Sequence, residues 1–284
     1  MNTNDLKIFE AVAANGSFTK AAEFMFTVQS NVTARIKSLE EEFGTELFTR
    51  TSRKVELTAA GQTLMQYSKQ VGHLIEEAKK DIQNADQVKG HIKIGCIETT
   101  MALKAPGIIN YFADTYPEVE LEFRSAMAGS LISDVMNYKL DAAFVPAPVN
   151  IPELEEVMIK DEQLVILAPA GIKNINDAIA VSPLKIVVFD QGCIFRSRLE
   201  SWLGSKGIIR YKSIVVNSIE GIINFVEAGL GVSILPEEVI SQYYSNRKIN
   251  TFAMNKEIGT MTTVLITRRD VPQSRALKAF MEMY

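Results

Sequence analysis

In the first ninety residues, apolar positions recur every three or four places, the period of helices packed on one side. Leu6, Phe9 and Ala13, with Val12 beside them, form the first stripe. "NGS" at 15–17 closes it, since Gly16 suits a helix C-cap and Ser17 an N-cap. The next helix carries Ala21, Ala22, Phe24 and Met25, and its alanines admit a close neighbour. In "TVQSNVTARIKSLEEEFG", Val32, Ile36, Leu39 and Phe43 are spaced 4, 3 and 4 apart and predict one buried face. Ser30, Ala34, Lys37 and Glu41 then fall on the opposite face, with Asn31, Thr33 and Arg35 toward its flanks. Gly44 stops this helix. "ELFTRTSRKVELT" reads as a short β-ribbon with Arg50, Arg53 and Lys54 around its tip. A long helix follows from about 58 to about 86, with Thr58 as its N-cap. Ala60, Leu64, Tyr67, Val71, Leu74, Ala78, Ile82 and Ala85 are spaced close to an a/d seam. So narrow a stripe on so long a helix needs a partner: its own domain or, preferably, a second copy.

From His91 the pattern changes to short apolar runs alternating with helix-like segments. "HIKIGCI", "VELEFRS" and "DAAFV" read as strands separated by the helices "KAPGIINYFADTY" and "SLISDVMNY". A second set follows: "QLVILAP", "LKIVVFD", a helix through Trp202, "KSIVV", a helix over 218–229, and "VSILP". Such alternation predicts parallel sheets with crossover helices. Two sets predict two similar lobes.

Composition narrows the class. The 284 residues favour more than one domain, and 47% hydrophobic with 23% charged residues fits a packed core. The net charge is −4, which weighs mildly against a nucleic-acid binder, although a local patch matters more than the total. Cys96 and Cys193 are far apart and outside any CxxC, which argues against a zinc framework or a disulfide scaffold. The N-terminus lacks an export-signal pattern, and no apolar run reaches the roughly 20 residues of a membrane span. A soluble cytoplasmic protein is expected.

Two readings of residues 21–39 fit the spacing equally: a helical hairpin with a solvated face, or a helix-turn-helix whose second helix enters a major groove. Two neighbouring features favour DNA. A ribbon with a basic tip stands beside the second helix, and five of the seven cations before residue 59 lie between 35 and 54.

"GSFTKAA", "VQSNVTARIKSLEEEFG" and "TELFTRTSRKVELTAAG" resemble the N-terminal winged helix-turn-helix of LysR-type transcriptional regulators over about sixty residues. Within that family, "VQSNVTARIK" is similar to the YofA/CzcR-like subgroup. The resemblance implies an α/β protein in three parts: a winged helix-turn-helix over 1–58, a linker and dimerisation helix over 59–88, and an effector-binding domain over 89–284. That last domain would have a two-lobed, type 2 periplasmic-binding-protein-like architecture, with lobe I about 89–161 and 269–284 and lobe II about 162–268. Crossing strands near 144–165 and 261–270 would join the lobes. Gln29, Ser30, Asn31, Thr33, Arg35, Lys37, Arg50 and Arg53 become the candidate DNA contacts. Ala34 stands where the family commonly has a long polar residue, so its neighbours would carry more of the base reading. The implied partners are double-stranded promoter DNA, RNA polymerase, a small-molecule effector and further copies of the chain, as a homodimer through the linker helix and a homotetramer.

In open α/β sheets, ligands bind beyond the carboxyl ends of strands, where helices begin. Four loops qualify: "CIETTM" with Thr99 and Thr100 ahead of a helix, "AGS" with Ser130 as N-cap, "DQGCIFR" with Gly192, Cys193 and Phe195, and "VNSIEG" with Asn217 and Ser218. Each residue alone is an ordinary cap. On the resembling fold all four loops line one cleft, and free N–H groups there predict an anionic effector. Arg196 could select the ligand or pair with Glu200 one turn on.

No triad, P-loop, HExxH or GxSxG pattern occurs, and His73 and His91 have no metal or catalytic companions. No cofactor, metal or enzymatic activity is expected. A solute receptor would need an export signal, and an enzyme a catalytic constellation. A ligand-controlled regulator fits best.

Overall fold

A computed structural model describes residues 1–50, 54–83, 87–181 and 183–284, with backbone alone at 50, 80, 81 and 83. The chain forms two compact units, Met1–Ala85 and Asp86–Tyr284.

The first unit holds α1 (Thr3–Asn15), α2 (Phe18–Phe24), α3 (Gln29–Phe43), β1 (Phe48–Arg50), β2 (Val55–Leu57) and α4 (Ala59–Gln83). Asn2 caps α1 and receives the N–H groups of Asn4 and Asp5, while the Asp5 carboxylate accepts from the Asn2 N–H. Gly16 and Gly44 end α1 and α3 with φ of +57° and +65°, the left-handed region glycine tolerates. Phe9, Val12, Ala21, Ala22, Val32, Ile36, Leu39, Leu47 and Phe48 form the core. One expected core position differs. Phe43 is 45% exposed, because the chain turns away at Gly44 and Leu47 fills the interior instead. Phe24 ends α2 and faces solvent.

The wing is an antiparallel pair in which Phe48 opposes Leu57 and Arg50 opposes Val55. Thr58 caps α4: its Oγ1 accepts from the Gly61 N–H at 3.0 Å and donates to the Glu46 carbonyl at 2.7 Å. Of the expected seam on α4, Leu64 is buried, while Tyr67 (62%) and Ile82 (79%) are exposed. Ala85 lies outside the described residues.

The second unit comprises β3 (Gly90–Cys96), α5 (Glu98–Thr115), β4 (Val119–Ser125), α6 (Ala128–Met136), β5 (Ala142–Pro146), β6 (Leu154–Pro169), α7 (Ile175–Ile179), β7 (Lys185–Val188) and α8 (Ile194–Ser205). It continues with β8 (Lys212–Val215), α9 (Ile219–Glu227), β9 (Ser233–Pro236), α10 (Glu237–Tyr243), β10 (Ile249–Ala253), α11 (Lys256–Gly259), β11 (Thr260–Arg268) and α12 (Arg275–Met281).

The main sheet runs β10-β6-β11-β5-β3-β4, with β9 also on β6 and a separate β7-β8 pair. The crossover strands are parallel: β3 with β4 and β5, and β7 with β8. The two strands joining the lobes are antiparallel to their neighbours, which the alternation pattern does not reveal. β6 is 16 residues long; its first half pairs with β11 and its second with β9 and β10. A register shift falls between Thr263 and Val264, where the strands cross between lobes. β11 pairs with β5 over Thr263–Thr267, so most of it belongs with lobe I. Ile92, Ile94, Phe112, Phe144 and Phe280 pack the core of lobe I, with α12 closing it. Leu167, Val187, Ile222, Val226 and Leu235 pack lobe II.

Candidate DNA and effector sites

On α3, Ser30, Ala34, Lys37 and Glu41 are all exposed, so the outer face is where the spacing puts it. Val28 precedes the helix with no side-chain cap, leaving the first N–H groups of α3 directed outward. Gln29 is exposed, and its Oε1 accepts from the Thr19 hydroxyl at 3.1 Å. Asn31 and Thr33 are less available. The Asn31 amide donates to Thr27 Oγ1 at 3.0 Å, and the Thr33 hydroxyl donates to the Gln29 carbonyl at 2.9 Å. Arg35 is half-exposed with its guanidinium 3.2 Å from the Asp5 carboxylate, where it ties α3 to α1. Lys37 makes a long pairing with Glu41, at 3.6 Å. Arg50 sits on β1, but its side chain is not described; Arg53 lies outside the described residues.

Sequence reasoning missed an apolar feature at the same place. Phe26 is 98% exposed and adopts φ +49°, unusual for a residue with a bulky side chain. Phe24 and Val28 beside it are also exposed.

In the second unit, a cavity of about 230 Å³ lies between the lobes. Lobe I contributes Ile97, Glu98, Ser125, Ala126, Met127 and Ala128; lobe II contributes Phe189, Asp190, Gly192, Cys193, Ile194, Phe195 and Asn217. Of the eight effector candidates, Gly192, Cys193, Phe195 and Asn217 line it. Thr99, Thr100, Ser130 and Ser218 do not.

Two expected caps are placed otherwise. α5 begins at Glu98, so Thr99 and Thr100 form its first turn rather than a loop ahead of it. Their hydroxyls are buried and have no hydrogen-bond partner among the described residues. α6 begins at Ala128, which makes Met127 the N-cap and Ser130 the third helical residue. Ser218 does cap α9, its Oγ accepting from the Gly221 N–H at 3.1 Å. Arg196 pairs with Glu200 at 3.0 Å, the local alternative to ligand selection.

Glu98 carries a contact no sequence pattern announced. Its Oε1 accepts from the Ile219 N–H at 3.0 Å, so a carboxylate of lobe I caps a helix of lobe II. A second tie follows from Pro106 inside α5. Proline has no N–H to give the carbonyl four residues earlier. That carbonyl, of Ala102, instead accepts the Tyr243 hydroxyl of α10 at 2.8 Å.

Burial pushes the Cys96 thiol up to about 12, and its Sγ is 3.7 Å from Met101 Sδ. Burial also raises the Cys193 thiol; the N–H groups of Arg196 and Phe195 oppose this, and the charge of Glu98 adds to it. Neither is an activated thiolate. Among the described residues, no group of three or more His, Cys, Asp or Glu is arranged to hold a metal ion, and no helix is long and apolar enough to cross a membrane.

Two family models match this chain. Residues 3–62 match the bacterial regulatory helix-turn-helix protein, lysR family, and residues 85–284 match the LysR substrate binding domain. The HTH-type transcriptional regulator YusT of Bacillus subtilis (strain 168) is 35% identical over 100% of this chain and 95% of its own. The HTH-type transcriptional regulator CzcR of Bacillus cereus is 33% identical over 99% of this chain and 96% of its own. Among solved structures, full-length CbnR complexed with its target DNA matches with a TM-score of 0.69 at 20% identity, covering 99% of this chain and 98% of that one, a likeness of fold. With both halves matched in order and relatives aligned from end to end, the chain belongs to the LysR family of transcriptional regulators: a DNA-binding helix-turn-helix unit joined to an effector-binding domain.

Proposed function

We propose that the protein acts in the cytoplasm as a homodimer joined through α4, assembling further into a tetramer, and that it regulates transcription without catalysing a reaction. Two α3 helices would enter successive major grooves of promoter DNA, one helical turn apart. The observation that carries this reading is the exposed start of α3, where Gln29, Ser30 and the uncapped N–H groups stand together, with Lys37 one to two turns on. Gln29 and Ser30 can reach base edges, whereas N–H groups and Lys37 suit phosphates. The exposed Tyr67 and Ile82 on α4 supply apolar surface for the second copy. The effector binds in the cavity between the lobes and alters how RNA polymerase is engaged.

Footprinting on the DNA upstream of the gene tests this. Ser30→Ala and Lys37→Ala should weaken binding to that site, and Arg53→Ala should weaken binding to all sequences alike. Unchanged footprints for all three would refute the orientation of α3. Affinity should also fall steeply with salt, since phosphate contacts release counterions.

A further inference from the structure

Helix starts alone point to an anionic effector, but they are not the only charges around the cavity. Glu98 and Asp190 both line it, and no Lys, Arg or His does so among the described residues. A plain anion would meet two carboxylates without a counter-charge.

The charges divide into two groups. Four helix starts border the cavity, and each behaves as roughly half a positive charge. Glu98 already serves two of them: it stands in the first turn of α5 and accepts from the Ile219 N–H that opens α9. Ser218 serves α9 as well. The starts of α6 and α8 are different. Neither N-cap, Met127 or Cys193, makes a side-chain cap bond, and neither first turn contains an acidic residue. The Phe195 and Arg196 N–H groups face the Cys193 sulfur, and a thiol is a weak acceptor. In this part of the cavity the helix starts therefore have neither a side-chain cap nor an acidic first turn. The other part has carboxylate oxygens to spare: Glu98 has one oxygen engaged by Ile219, and Asp190 has one engaged by the Gln191 N–H at 2.9 Å.

A single ligand satisfies both parts if it carries both charges. Resting on the effector reading of this cavity, we infer that the effector is a small zwitterion of the amino-carboxylate class. Its carboxylate takes the N–H groups at the starts of α6 and α8, and its ammonium takes Glu98 and Asp190. Ile97, Met127, Phe189 and Phe195 provide apolar surface for its body. The cavity of about 230 Å³ holds on the order of eight non-hydrogen atoms, taking about 30 Å³ for each water-sized group. That is the size of a mid-sized amino acid.

The test is calorimetric titration of the full-length protein with three matched series. These are the twenty standard L-amino acids, the same molecules without the amino group, and the same molecules without the carboxylate. At least one amino acid should bind, and both of its truncated counterparts should bind at least about tenfold more weakly, the worth of one charged hydrogen bond. In Asp190→Asn, that amino acid should lose at least about tenfold while its deaminated form loses less than about threefold. A deaminated acid or a simple amine binding as tightly as the amino acid overturns the charge assignment while leaving the cavity as the effector site. Silence of all three series overturns both. Equal losses for both ligands in Asp190→Asn also overturn it, since a merely structural role would weaken them together.

Discussion

Gly61 and Gly72 lie on the same helix, α4, and the structure gives them opposite responses to one substitution. A Cβ added at Gly61 would stand 2.1 Å from the Leu47 carbonyl oxygen and 2.9 Å from Leu57 Cδ2. The first neighbour is backbone of the wing and cannot rotate away. A Cβ added at Gly72 meets nothing within 4 Å. Replacing glycine by alanine inside a helix gains about 1 kcal/mol, because the unfolded chain loses freedom and the helix loses its poorest former. For Gly72→Ala that gain stands alone, giving about 0.5–1 kcal/mol of stabilisation. For Gly61→Ala the overlap must be relieved by moving α4 away from β1, and overpacking costs about 1–3 kcal/mol. An approach of 2.1 Å to a backbone atom puts the cost in the upper part of that range, about 2–3 kcal/mol, so the net is destabilisation of about 1–2 kcal/mol and the two variants should differ by about 2–3 kcal/mol. In a unit of about 85 residues, 1 kcal/mol corresponds to roughly 4–8 °C. Scanning calorimetry of the full chain, following the transition of the DNA-binding unit, should place Gly61→Ala below and Gly72→Ala above the parent. Gly61→Ala unfolding at or above the parent temperature would refute the packing of α4 on the wing.

Tyr243→Phe should cost about 1 kcal/mol in the effector unit, because the Ala102 carbonyl loses its partner; in a Pro106→Ala background, where an N–H returns, denaturant unfolding should show that cost vanish. Asp5→Ala removes the reciprocal half of a capping box and the anchor of Arg35, and should destabilise the DNA-binding unit by about 1–2 kcal/mol in the same assay. Burial raises both thiols, so at pH 8 each holds less thiolate than a free cysteine; iodoacetamide should label the native chain slowly, Cys193 ahead of Cys96, with rates that climb only at higher pH. Cys193→Ser should leave the response to peroxide unchanged, and a lost response would show the thiol to be a redox sensor.

Helical periodicity locates α1 and α3 because each buries one stripe, and α4 because its apolar positions repeat along one side although only Leu64 of that stripe is buried among the described residues; the caps Gly16, Ser17, Gly44, Thr58 and Ser218 are local enough to read from neighbours. Positions at helix ends are harder. Phe43 has the right spacing for the core, but a helix turning away at its last residue carries even a correctly phased side chain into solvent. α5 starts at Glu98, well before the apolar run that announces it, since "ETTMAL" carries no stripe of its own, and this moves Thr99 and Thr100 from a loop into a turn. Half of the candidate effector residues line the cavity because loops that follow strands converge there by topology. Glu98 and Asp190 are invisible to local pattern for a related reason. Glu98 is separated by 121 residues from the N–H it caps, and no short-range spacing encodes that.

That long-range bond bears on how a ligand could act on the lobes. A ligand shifts a conformational equilibrium only by the difference in its affinity for the two arrangements. The cavity is lined from both lobes, so a bound molecule touches both and has such a difference by construction. Glu98 sharpens it, because its carboxylate is a lining group and at the same time the acceptor for Ile219. A cationic group taking the second oxygen of Glu98 draws on the same carboxylate that holds this cap, whereas the Tyr243–Ala102 bond and the strands β6 and β11 lie outside the lining. Ligand charge therefore reaches the inter-lobe contacts unequally, with the Glu98 cap the one most directly under its control. The register shift at Thr263 and Val264, where the strands pass between lobes, is the natural place for the backbone to absorb any resulting change of angle.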